Sequence, residues 1–65
     1  MDPTQYTTLM ECLSHCDKLL KEMTLDRDRI IECMNGDLRK AYLDSNEKAM
    51  QELKSIRRQL QLMLT

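Results

Sequence analysis

Apolar residues recur along both halves of the chain at alternating spacings of three and four, and the two patterns mirror each other about the midpoint. This spacing is typical of amphipathic helices that pack together in a coiled coil. The first series comprises Leu9, Leu13, Cys16, Leu20, Met23, Ile30 and Met34, and the second comprises Leu38, Tyr42, Ala49, Leu53, Ile56, Leu60 and Met63. The sequence therefore predicts an all-α fold, an antiparallel two-helix coiled-coil hairpin whose seam contains both series.

The centre of the mirror is Asn35-Gly36, which carries the only glycine of the chain. Glycine, and less often asparagine, adopts the left-handed conformation that ends many helices, and Asp37 is a favourable N-cap for a following helix. Near the start, Asp2-Pro3 combines a capping side chain with a proline at the first helical position. These signals predict a turn at Asn35 and Gly36 between two long helices.

Each apolar series is interrupted once, at Arg27 in the first half and at Ser45-Asn46 in the second, and the interruptions are mirror partners. A polar seam position sets the register of a coiled coil at some cost in stability. Because Thr24 and Asp44 also begin capping signals, a three-helix bundle broken near Thr24 or Ser45 is the alternative. We favour continuous helices because the heptad spacing continues through both interruptions.

The predicted boundaries define one domain over residues 1–65, with helices over about 3–34 and about 37–64. The sequence ends on Leu64-Thr65 without a glycine, a proline or a capping signal. We therefore expect the hairpin to be the N-terminal module of a longer protein.

A second apolar stripe flanks each seam, so the apolar side of each helix is wider than one partner helix covers. Its members are Met10, Cys12, Leu19, Ile31, Leu43, Met50 and Leu64. We expect these residues to form a dimer interface in which two hairpins pair as an antiparallel four-helix bundle.

Composition supports a coiled coil, since 42% of the 65 residues are hydrophobic, 32% are charged, and neither tryptophan nor phenylalanine occurs. The formal net charge of −1 predicts no general attraction to nucleic acid or to a membrane surface. No apolar run approaches the roughly 20 residues that span a bilayer. We expect no membrane association.

Three cysteines are an odd number, and no secretory signal precedes them, so an intracellular setting, cytoplasmic or nuclear, is expected. Cys12, His15 and Cys16 lie on one helical face but are one ligand short of a closed zinc site. Cys33 lies about 25 Å from Cys16 along a straight helix and does not complete that site. We predict no metal and no cofactor.

We expect no enzyme, because nucleophilic catalysis needs a base oriented by a third group and an oxyanion site in a concave pocket, and a single histidine on a helical rod offers none of these. Four basic residues, Lys48, Lys54, Arg57 and Arg58, form a modest patch on the second helix. No aromatic side chains are interleaved with them for stacking on bases, so nucleic-acid binding is not expected.

These observations favour a non-enzymatic dimerisation or oligomerisation module that brings together domains of a larger protein. Its partner would be a second copy, as a homodimer, or a helical partner protein. The alternative hypothesis is a small helical regulator that lays its apolar face into the groove of a partner protein. The first predicts a dimer at low micromolar concentration, and the second predicts a partly unfolded monomer.

Overall fold

The computed structural model describes residues 2–64, which form two packed antiparallel helices joined by a short turn. Helix α1 spans Pro3–Cys33 and helix α2 spans Gly36–Leu64. The prediction of an all-helical chain with two helices packed against each other is confirmed. Neither helix is interrupted near Thr24 or Ser45, so the described residues do not form the alternative three-helix bundle.

Helix α1 is capped at its first turn. The Asp2 side chain accepts a hydrogen bond from the Gln5 N–H at 2.8 Å, and Pro3 occupies the first turn. At the other end, Met34 is extended (φ −119, ψ 151), although its N–H still donates to the Ile30 carbonyl at 3.0 Å. The backbone thus leaves the helical conformation at Met34, while the Met34 N–H keeps its hydrogen bond to α1.

The turn depends on the backbone of Gly36, whose φ of +65° lies in the left-handed region. A side chain at this φ costs roughly 1–2 kcal/mol because Cβ approaches the following carbonyl oxygen. A Cβ added at Gly36 would meet no other atom within 4 Å. The requirement for glycine is therefore a backbone requirement and not one of space.

The residues of α1 that face α2 form an apolar line with one polar interruption. Among the described residues only Cys16 is buried, at 6% exposure, and it lies near the middle of that line. The other members are half-buried, and they are Leu9, Leu13, Leu20, Met23, Ile30 and Met34. Arg27, which interrupts the line, is exposed.

On α2 the half-buried line keeps Leu53 and Leu60 of the series described above, but its alternate members lie one position later. It runs through Arg39, Leu43, Asn46, Met50, Leu53, Arg57, Leu60 and Leu64, with Ala49 also half-buried beside it. By contrast, Leu38, Tyr42, Ile56 and Met63 are exposed. A shift of the whole line by one position would be a rotation of about 100°, and because only alternate members shift, α2 is rotated by roughly half that angle. The flanking residues Leu43, Met50 and Leu64 therefore face α1. Four of the seven residues of the predicted series remain exposed.

Candidate association surface

A polar contact crosses between the helices at the interruption of the seam. Asn46 is half-buried, and its Nδ2 donates to the backbone carbonyl of Met23 at 3.1 Å. The same amide has a buried Oδ1 with no hydrogen-bond partner among the described residues. Asn46 therefore ties α2 to α1 in one rotation, at the cost of one unsatisfied acceptor.

A second polar contact joins the helices nearer to their outer ends. The Arg57 guanidinium donates from Nε to Oδ1 of Asp17. Their side chains are 36% and 54% exposed, so solvent screens the pair and its contribution is at most about 1 kcal/mol. Like Asn46, Arg57 belongs to the half-buried line of α2, so both polar contacts form in the observed rotation.

This rotation leaves a broad apolar side of the hairpin, which we call the Ile56 face. Its members occupy equivalent heptad positions just outside the seam, and they are Cys12, Leu19, Asp26 and Cys33 of α1 with Tyr42, Ala49, Ile56 and Met63 of α2. A shallow groove between the helices is lined by Ile56 and Leu60 of α2 and, on α1, by Glu11, Cys12, His15 and Cys16. Both helices thus contribute to this face.

The Ile56 face exposes large side chains that are normally covered. Tyr42 is 49% exposed, Ile56 is 47% exposed and Met63 is 60% exposed. Leu38, at 57%, extends the same side toward the turn. Contiguous apolar surface of this kind marks interaction sites in soluble proteins more often than scattered single residues do.

The opposite side, which we call the Asp17 face, is largely polar. Its members are Met10, Asp17, Thr24 and Ile31 of α1 with Lys40, Glu47, Lys54 and Gln61 of α2. Opposite charges alternate along α2 at these positions. Burial of the Asp17 face would therefore cost more desolvation free energy than burial of the Ile56 face.

The residues assigned by sequence to a dimer interface are divided among three places. Cys12 and Leu19 lie on the Ile56 face, whereas Met10 and Ile31 lie on the Asp17 face with exposures of 44% and 39%. The remaining three, on α2, are half-buried along the seam, and they are Leu43, Met50 and Leu64. The structure does not bring the set together as one surface.

The cysteines and the histidine of α1 differ in their burial. Cys16 is buried, while Cys12 and His15 are exposed. Within residues 2–64, no group of three or more His, Cys, Asp or Glu side chains is arranged to hold a metal ion. Neither described helix has an apolar stretch that could cross a membrane.

Two charged residues of α2 lie in the seam although the seam predicted from the sequence does not include them. Arg39 and Arg57 are half-buried on α2 because their spacing from Leu43 and Leu53 follows the heptad. The available signal was the mirror relation of Arg57 to the acidic Asp17 neighbourhood. Charge alone does not distinguish an arginine at the edge of the seam from one on the outer side of the helix.

The sequence matches no protein-family model, and comparison with curated proteins and with solved structures finds no similar protein. The function must therefore be argued from the surface of the hairpin itself.

Proposed function

We propose that this hairpin is a non-enzymatic self-association module, in which two copies pair as a four-helix bundle and bring together whatever domains are joined to them. The observation that supports the proposal is the burial pattern. Cys16 alone is buried among residues 2–64, whereas nine large hydrophobic side chains are between 39% and 64% exposed. Helices of this length depend on packing of their apolar sides, and a second hairpin would supply it.

Sedimentation equilibrium tests self-association directly. The expected result is a species of twice the 7.7 kDa chain mass at low micromolar concentration, dissociating on dilution. A well-folded monomer at all concentrations would contradict the proposal. That result would favour the alternative, in which the exposed apolar side chains bind in the groove of a partner protein.

The consequence for joined domains is testable separately. Fusing the hairpin to a monovalent binding domain should raise its apparent affinity for a surface with paired targets by roughly 100-fold or more through effective concentration. A fusion that carries Leu20→Asp is the matched control, because a carboxylate in the seam disrupts the hairpin. Equal affinities of the two fusions would show that self-association does not link the domains.

A further inference from the structure

The two broad sides of the hairpin differ in charge although each comprises eight residues, four from each helix. The Ile56 face contains one charged residue, Asp26, whose carboxylate already lies 3.6 Å from the Arg29 guanidinium on the same helix. The Asp17 face contains charged residues at half of its positions. Covering the Ile56 face therefore removes far fewer charges from water.

The apolar character of the Ile56 face continues along the whole hairpin. Tyr42, Ala49, Ile56 and Met63 follow one another at intervals of seven residues, so they form a straight row on α2. The small side chain of Ala49 lies near the middle of this row and permits close approach of another helix. A partner must therefore present a long apolar helical surface of matching length.

The size of the face can be compared with that of stable interfaces. The Cα atoms extend over 50 × 15 × 12 Å, so the broad side projects to roughly 750 Å². Standard protein interfaces bury about 800 Å² on each partner. One face is thus large enough for a stable dimer without any contribution from the Asp17 face.

We propose that the second copy of this chain docks on the Ile56 face, so that two such faces form the centre of the four-helix bundle. This inference rests on the proposed self-association and names its surface. A second copy presents the required partner surface, because a two-fold interface joins the same patch on both subunits. The net charge of −1 on each copy opposes their approach only slightly.

The first test compares two substitutions at similarly exposed apolar sites. Ile56 is 47% exposed on the proposed interface, and Leu25 is 51% exposed on the outer side of α1. Ile56→Asp places a carboxylate twice in a two-fold interface, so it should raise the dimer dissociation constant by about 100-fold or more. Leu25→Asp should change it by less than about threefold.

Sedimentation equilibrium of both variants separates the outcomes. Wild-type dimers together with an undiminished Ile56→Asp dimer would overturn this docking surface while leaving the self-association intact. A monomeric wild type would instead overturn the self-association itself. Equal weakening by Ile56→Asp and Leu25→Asp would also contradict the inference, because it would indicate general destabilisation.

The second test needs no destabilising change, since Cys12 is exposed and lies on the Ile56 face. Its alkylation rate should fall by about tenfold or more as protein concentration rises through the dissociation constant. A thiol introduced by Lys54→Cys, in a Cys12→Ser and Cys33→Ser background, reports on the Asp17 face and should show no such fall. Protection of the introduced thiol with free reaction of Cys12 would place the second copy on the opposite side.

Discussion

Asn46→Leu should stabilise the hairpin although it removes a hydrogen bond that joins the helices. Asn46 is half-buried, and its Nδ2 donates to the Met23 carbonyl at 3.1 Å. Its Oδ1 is buried and has no partner among the described residues. In a continuous α-helix the Met23 carbonyl retains the bond from the backbone N–H four residues later, so the substitution leaves it satisfied.

The magnitude follows from three contributions. Removing an unsatisfied buried acceptor is worth about 1–3 kcal/mol, whereas losing the Asn46 hydrogen bond costs about 1 kcal/mol. A leucine that is half-buried on the seam gains about 1 kcal/mol of apolar burial. The expected net effect of Asn46→Leu is therefore a rise of about 1–3 kcal/mol in the free energy of unfolding per chain.

The assay is urea unfolding followed by the helical circular dichroism signal, at several fixed protein concentrations because association is coupled to folding. Gln51→Leu, at an exposed position on the same helix, controls for leucine itself and should change stability by less than about 0.5 kcal/mol. An unchanged or reduced stability of Asn46→Leu would refute the reasoning, since it would mean that Oδ1 is satisfied in solution.

Three further predictions concern the turn, the thiols and the ion pair. Urea unfolding should show that Gly36→Ala costs roughly 1 kcal/mol, whereas D-alanine in a synthetic chain, which favours the φ of +65°, should stabilise it by about 0.4–1 kcal/mol. In the same assay, Cys16→Ala should cost about 1–2 kcal/mol and Cys12→Ser less than about 0.5 kcal/mol, because only the first is buried. Arg57→Gln removes the pair with Asp17 and should cost under about 1 kcal/mol at low salt, a difference that shrinks as salt is added.

The two-helix architecture could be predicted from the sequence because several signals agreed. The heptad spacing continued from Leu9 to Met34 through the one polar position at Arg27, and Asp2 and Pro3 marked the start of α1. Glycine occurs once, at the position where the backbone takes a positive φ. Local propensity and long-range pattern thus pointed to the same fold.

The rotation of α2 was harder to predict, because two adjacent lines on that helix are apolar. One contains Tyr42, Ile56 and Met63, and the other contains Leu43 and Leu64. Hydrophobicity alone hardly distinguishes them, since a shift of one position exchanges one apolar line for the other. The sequence pattern favoured the first line because the second includes two arginines and an asparagine.

Polar residues favour one of these two lines as the seam. That choice also determines which surface of the hairpin remains exposed to a partner. With the second line facing α1, Asn46 donates to the Met23 carbonyl and Arg57 donates to the Asp17 carboxylate. Each contact is worth little by itself, but both favour the same rotation, and a mismatch would leave Asn46 without its donor bond. The rotation that satisfies them also turns Ile56 outward. Asn46→Leu should therefore make the hairpin more stable but less able to distinguish its two apolar lines, in the way that polar seam residues specify coiled-coil partners at a cost in stability.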